Sequence, residues 1–155
     1  MKSLTLIIII LLAQCSSRLL AYEITGAKPI SKLEDQQMKA KADKKLITIV
    51  YQGSDKECPH CAAAAENGIK AVHNSSVILV ITQKEAHDVS LIKKLPASVK
   101  NALKDQFLGA WVSFTVFDPD FKKVIASANR DSLEDDVKAT RTFANKVREA
   151  RKELK

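Results

Sequence analysis

The tetrapeptide Cys58-Pro59-His60-Cys61 lies between residues 46–51, which are typical of a β-strand, and residues 62–72, which are typical of an α-helix. The first run is apolar and rich in β-branched residues, and the second opens with four alanines. The pattern therefore predicts a strand, a turn and a helix in succession. The two cysteines would then lie at the first turn of that helix.

This position favours redox chemistry. Free N–H groups and the positive end of the helix dipole stabilise a thiolate at a helix start, so Cys58 is predicted to be the nucleophile. Pro59 suits the first turn because no N–H donor is needed there. His60 adds a donor or a positive charge, which should lower the pKa of the Cys58 thiol. Cys61, one turn further on, can close a disulfide with Cys58 and resolve a mixed disulfide.

A zinc site is a weaker interpretation of the same motif. A structural zinc ion needs four ligands, and His60, His73 and His87 form no second ligand pair with the usual spacing. We therefore predict no metal site of this kind. His73 and His87 are expected to be surface residues.

Three stretches resemble one known family. Cys58-Pro59-His60-Cys61 is similar to the active-site tetrapeptide of DsbA-type disulfide oxidases. Gly53-Ser54-Asp55, and Asp118-Pro119-Asp120 with the Lys122-Lys123-Val124 that follows, are similar to stretches of small exported thioredoxin-like proteins. Over roughly residues 30–154 the chain thus resembles the thioredoxin superfamily. The resemblance implies an α/β thioredoxin-like fold with a central mixed β-sheet flanked by helices.

Two positions depart from that family. The family carries a cis-proline in the loop facing the cysteines, and Val112 occupies the matching position here, beside Trp111. A cis bond before a residue other than proline costs roughly 2.5–4 kcal/mol, so we expect a trans bond at Val112. The family's buried carboxylate aligns near Val50, and the nearest polar residue, Gln52, cannot take a proton. Trp111 and Val112 are predicted to form the substrate loop in this altered form.

Three functions are compatible with these residues. The first is an extracytoplasmic thiol–disulfide oxidoreductase without a cofactor, in which Cys58 forms a mixed disulfide with a protein substrate and Cys61 resolves it. The second is a metal-handling protein, because two thiolates and His60, uncrowded by a proline at the Val112 position, could hold Cu(I). The third is an adaptor domain in which the Cys58–Cys61 disulfide is fixed.

Length and charge limit the other classes of function. The chain has 155 residues, enough for one domain with a proper core. Its formal net charge is +7, or +5 without Lys2 and Arg18. The basic residues alternate with acidic ones and no aromatic platform accompanies them, so they predict a solvated surface and no nucleic-acid site. We expect a monomer whose partners are protein thiol or disulfide substrates and a redox partner protein.

The amino-terminal segment predicts export. A basic start is followed by an apolar run at residues 4–13, which is the length of a signal-peptide core and too short to span a bilayer. Cleavage is predicted near Ala21. Alternatively, Cys15 is the acylated cysteine of a lipoprotein signal, although Gln14 stands where a small residue is usual. We expect a periplasmic or secreted protein, attached to a membrane only through Cys15 or an uncleaved signal.

From the signal onward, the prediction is a linker or short edge strand at residues 22–30 and a thioredoxin-like domain at 31–155. Ser31 is predicted to cap a helix with Leu33, Met38 and Ala42 on its buried side. Residues 46–51 and 77–81 should be parallel strands joined by the active-site helix.

The second half is predicted to hold helices, a hairpin and a final helix. Residues 84–107 are helix-prone, with a break at Pro96 and a new cap at Ser98. Residues 111–118 and 123–128 should form a β-hairpin around Asp118-Pro119-Asp120. Ser132 is predicted to cap the last helix. Its apolar stripe would consist of Leu133, Val137, Phe143, Ala144, Val147, Ala150 and Leu154.

Overall fold

A mixed β-sheet forms the centre of the computed structural model, which describes residues 24–53, 58–106 and 111–154. In these residues the sheet has five strands in the order β1-β3-β2-β4-β5. β3 is parallel to both β1 and β2, whereas β4 runs antiparallel to β2 and β5 antiparallel to β4. The predicted α/β class and central mixed sheet are thus confirmed. The strands are β1 Lys28–Pro29, β2 Leu46–Gln52, β3 Ser76–Thr82, β4 Val112–Phe117 and β5 Val124–Asn129.

Helices cover both faces of the sheet. They are a 3-10 turn at Ile30–Lys32, α1 Leu33–Ala42, α2 Pro59–Val72, α3 Gln83–Ala86, α4 Val89–Lys94, α5 Ala97–Gln106, α6 Arg130–Glu134 and α7 Val137–Glu153. One apolar cluster joins the sheet to α2, α6 and α7, and a second joins its other face to α1, α3 and α5. No helix in the described ranges is both long and apolar enough to cross a lipid bilayer.

Strand β2 is buried on both faces, which explains why its sequence is mostly apolar. Leu46 and Val50 belong to the cluster under α2, whereas Ile47, Ile49 and Tyr51 belong to the opposite cluster. Burial raises the pKa of the Tyr51 hydroxyl. Side chains of a strand alternate between faces, so a central strand covered by helices on both sides is apolar at most positions, and Thr48 is the buried exception in β2.

The beginning of the domain differs in detail from the prediction. Lys28–Pro29 forms the short edge strand β1, one of the two predicted alternatives. Ser31 is not a cap, because it lies inside the 3-10 turn that leads into α1. Leu33 and Ala40 are the buried residues of α1, and Met38 is 66% exposed. Leu33 and Ala40 are seven residues apart, which is about two helical turns, so they lie on the same side of α1. Met38 is five residues after Leu33, and this spacing places it on the side that faces away from the sheet.

Ala42, also predicted on the buried side of α1, is exposed at the helix end. The helix stops there because Lys44 adopts a positive φ of 48°. A left-handed residue cannot continue a right-handed helix. The chain then turns into β2.

The predicted cap at Ser98 is also wrong. Helix α5 begins at Ala97, directly after Pro96, and the carbonyl of Pro96 already accepts a bond from the Lys100 N–H, 3.0 Å away. The Ser98 hydroxyl instead donates to the carbonyl oxygen of Phe121 at 2.6 Å. Ser98 therefore ties α5 to the turn of the hairpin.

Two helices, α6 and α7, follow β5, where a single helix capped by Ser132 was predicted. Ser132 lies inside α6, which Asn129 caps, and Asp136 caps α7 by accepting from the Ala139 N–H at 2.7 Å. The break between α6 and α7 changes the helical phase, so Val137 is 72% exposed instead of buried. Phe143 and Val147 are buried as predicted, and Leu133 is buried on α6. Ala150 and Leu154 pack against the same cluster at its margin.

The predicted hairpin turn is confirmed, and α1 holds it in place. The Asp118 carboxylate accepts the backbone N–H groups of Asp120 and Lys123. Gln37 donates to the carbonyl of Pro119 at 2.8 Å. Lys41 pairs with Asp120 at 2.7 Å, and this hydrogen bond lowers the pKa of the Asp120 carboxyl.

Gly68 lies where α2 crosses β4. A Cβ at this position would be 2.4 Å from two ring atoms of Phe114, which is fully buried. Glycine weakens a helix by about 1 kcal/mol relative to alanine. In this helix it also lets the Phe114 ring pack directly against the backbone.

Candidate active site at the start of helix α2

The cysteines lie where the sequence predicts them. Cys58 is the extended N-cap residue of α2, with φ −132° and ψ 98°, and Pro59 occupies the first turn. The Ala62 N–H donates to the Cys58 carbonyl at 3.0 Å, which closes the first helical turn. The end of β2 lies nearby in sequence, and residues 54–57 between them are outside the described ranges.

Cys58 and Cys61 are joined in a disulfide, with their Cα atoms 5.1 Å apart. The two cysteines differ in exposure, because Cys58 is half-buried and Cys61 is completely buried. The Cys61 N–H donates to the Cys58 Sγ at 3.2 Å. The same donor would face a Cys58 thiolate after reduction and stabilise it. Cys58 is thus the more exposed cysteine of the pair.

The imidazole of His60 contacts a residue that the sequence does not point to. His60 Nδ1 is hydrogen-bonded to Oε1 of Glu134, which lies at the end of α6. Glu134 Oε2 is also 3.9 Å from Arg130 Nε. The two partners are 74 residues apart in the chain, so no local spacing could have paired them.

Behind the disulfide the site is apolar. Val50 and Val112 are fully buried and belong to the same cluster as Cys61. The peptide bond before Val112 is trans, as predicted. Gln52, half-buried, pairs in register with Val112. Val50, the position that aligns with the carboxylate of the thioredoxin superfamily, therefore lies in an apolar cluster and carries no ionisable group.

Trp111 lies at the edge of this site and is 46% exposed. Its carbonyl oxygen accepts the Gly53 N–H at 2.8 Å, which links the start of β4 to the end of β2. The backbone of Trp111 is thus attached to the central sheet. Its role in substrate contact stays a prediction.

Comparisons with known proteins give one distant match. No protein-family model and no curated protein sequence matches the chain. The chain is similar to a solved structure of a disulphide isomerase from Xylella fastidiosa Temecula1. The TM-score is 0.46 at 12% sequence identity, over 89% of this chain and 98% of that chain.

The other two histidines each contact a backbone carbonyl of their own helix. His73 Nδ1 is 3.1 Å from the Lys70 carbonyl, and His87 Nδ1 is 2.7 Å from the Gln83 carbonyl, both on exposed helix ends. Within the part of the chain that the structure describes, no three His, Cys, Asp or Glu side chains lie together as metal ligands would. The predicted signal segment, Cys15 included, lies outside the described residues.

Proposed function

We propose that this protein is a thioredoxin-like thiol–disulfide oxidoreductase that acts on protein thiols and disulfides through Cys58 and Cys61. One observation carries the proposal. The disulfide lies at the start of α2, where Cys58 is half-buried and accepts a backbone N–H through its sulfur, while Cys61 is completely buried. A nucleophilic cysteine needs access and thiolate stabilisation, and a resolving cysteine needs only to reach its neighbour.

The exchange proceeds through a mixed disulfide. In the reducing direction, the Cys58 thiolate attacks a substrate disulfide, a Cys58–substrate S–S bond forms, and one substrate sulfur leaves as a thiolate and takes a proton from water. The Cys61 thiol then loses its proton to water and attacks Cys58 Sγ. The Cys58–Cys61 bond forms, the second substrate sulfur leaves, and two electrons have passed to the substrate. Oxidation of a substrate dithiol is the reverse.

The architecture supports this proposal. The redox pair follows a central strand of a mixed sheet and opens the helix packed on it, as the resemblance to the thioredoxin superfamily implies. The apolar residues Val50 and Val112 flank the pair where the family has a carboxylate and a proline. Proton transfer therefore depends on solvent or on the exposed side of the site.

Equilibration with glutathione tests the proposal directly. The purified protein should exchange between disulfide and dithiol forms, and it should catalyse insulin reduction or oxidation of a reduced protein. Cys58→Ser should abolish both reactions, because Cys61 is buried, whereas the matched control Ala63→Ser, on the exposed side of α2, should retain them. A disulfide that never exchanges under these conditions would support the fixed-disulfide adaptor. Copper retained after mild purification, without exchange, would support the metal-handling alternative.

We also propose that the protein works outside the cytoplasm. The basic start and the apolar run at residues 4–13 support export. Mass spectrometry of the protein from cells should show a chain beginning at Tyr22. A lipid-modified chain beginning at Cys15 would indicate a lipoprotein anchor instead, and an intact Met1 in the cytoplasmic fraction would contradict export.

Trp111→Ala tests the predicted substrate loop. A half-exposed indole beside the site offers a large apolar contact to a protein substrate but little to glutathione. We expect the rate with a protein substrate to fall about tenfold, a loss of about 1.4 kcal/mol, with the glutathione rate unchanged. Val137→Ala, which removes an exposed apolar side chain from α7, is the control and should change neither rate. Equal losses with both substrates after Trp111→Ala would show that Trp111 supports the site structurally.

A further inference from the structure

The contact between His60 and Glu134 places a carboxylate beside the tetrapeptide. The side chain of His60 is 69% exposed, whereas that of Glu134 is only 14% exposed. An ionised carboxylate can only accept hydrogen bonds, so the ring donates through Nδ1 in this contact. Glu134 is therefore the more buried member of the pair, and its position determines where the His60 ring lies.

Glu134 is held in place by the short helix that carries it. Asn129 and Ser132 form a capping box at the start of α6. Asn67 of α2 donates to the Leu133 carbonyl at 2.8 Å, which fastens α6 to the helix of the redox pair. Leu133 itself is fully buried. The carboxylate thus reaches His60 from a fixed backbone and not from a free surface chain.

The charge of this carboxylate acts against a thiolate at Cys58. A positive imidazole next to the cysteines favours the thiolate, and so favours the reduced form of the pair. A carboxylate bound to the same ring offsets the positive charge of the imidazole. It also holds the ring against α6. In the tetrapeptide without such a partner, the full charge of the ring would act on the sulfur.

We propose that Glu134 is a positioning residue that makes the Cys58–Cys61 pair less oxidising, by binding His60 and offsetting its charge. The inference rests on the proposed function, because it concerns the redox poise of the same pair. With Glu134 bound to it, His60 should stabilise the Cys58 thiolate less than an unpaired histidine at the same position would.

The measured quantity is the equilibrium constant for reduction of the protein by glutathione. In this reaction the protein disulfide and two glutathione molecules give the reduced protein and glutathione disulfide. It is made at about pH 5.5, below the ordinary pKa of a histidine side chain. Glu134→Gln keeps the size and the hydrogen-bond acceptor but removes the charge. We expect it to raise the equilibrium constant about fivefold, equivalent to a potential about 20 mV higher.

Two further variants separate the action through His60 from a general effect of charge. Asp135→Asn removes the same charge one residue away, from an exposed side chain with no contact to His60, and should change the constant less than about twofold. His60→Ala should lower the constant, because the thiolate loses its partner. In the His60→Ala background, Glu134→Gln should have less than about half of its original logarithmic effect, because the imidazole through which Glu134 acts is then absent.

The outcomes distinguish this inference from the proposed function. If the cysteines do not exchange with glutathione, both fail. If they exchange and Glu134→Gln leaves the constant unchanged, lowers it, or acts equally with and without His60, the role of Glu134 is wrong and the oxidoreductase stands. A rise confined to the His60 background, with Asp135→Asn silent, supports the inference.

Discussion

Cys61→Ala should convert the protein into a trap that holds its substrate covalently on Cys58. The buried Cys61 sulfur is already bonded to Cys58, so in the intact protein it can release a mixed disulfide without waiting for another molecule. Well-oriented intramolecular reactions reach effective molarities of 10⁵ M or more, so without Cys61 the release by millimolar thiols should be slower by at least about a thousandfold. Mass spectrometry of the trapped species after export would identify the substrate.

Cys58→Ala is the matched control for this experiment. It leaves a single buried sulfur, and we expect it to trap nothing. Capture by Cys58→Ala together with none by Cys61→Ala would reverse the assigned roles of the two cysteines. Capture by neither variant, in a protein that still folds, would contradict the mixed-disulfide mechanism.

Gly68→Ala should destabilise the domain although alanine is the better helix former. The added Cβ would lie 2.4 Å from the ring of Phe114, a fully buried residue on a central strand that cannot move without disturbing the core. Overpacking of this kind costs roughly 1–3 kcal/mol, and 2.4 Å is close enough to place the cost at the upper end, against a gain of about 1 kcal/mol in helix propensity. The net loss of about 2 kcal/mol should lower Tm by about 4–8 °C.

Two variants check the cause. Ala63→Gly, on the exposed side of the same helix, should cost about 1 kcal/mol through propensity alone. Phe114→Leu combined with Gly68→Ala should be less destabilising than the sum of the two single changes, because the smaller side chain leaves room for the Cβ. An increase in Tm for Gly68→Ala would mean that the ring does not pack against this glycine.

Much of the site could be predicted from the sequence because it depends on local rules. An apolar β-branched run forms a central strand whatever surrounds it, and Cys58 with Pro59 begins a helix through its own capping chemistry. The turn at Asp118-Pro119-Asp120 is likewise built from bonds between residues at most five apart. These features need information from only a few neighbouring positions.

The local rules failed where several nearby residues were equally suitable as a helix cap or as a buried side chain. Ser31, Ser98 and Ser132 each looked like a cap, but the helices begin at other residues because the sheet determines where the chain turns. Met38 looked like a core residue of α1, yet Ala40 lies in the position two turns from Leu33. A one-residue difference in phase decides which side chain meets the sheet, and periodicity alone defines that phase poorly.

Only the tertiary structure decided the partner of His60 and the reason for Gly68. Both depend on α2 packing against elements that follow it by many residues, with Glu134 coming from α6 and Phe114 from β4. The strand order places β4 beside β2, and β5 leads directly into α6, so the chain returns to α2 only after the last strand of the sheet. By itself the sequence determined the redox pair and the helix that carries it. Which charges and side chains face that pair depends on distances between residues far apart in the chain, and these exist only in the folded protein.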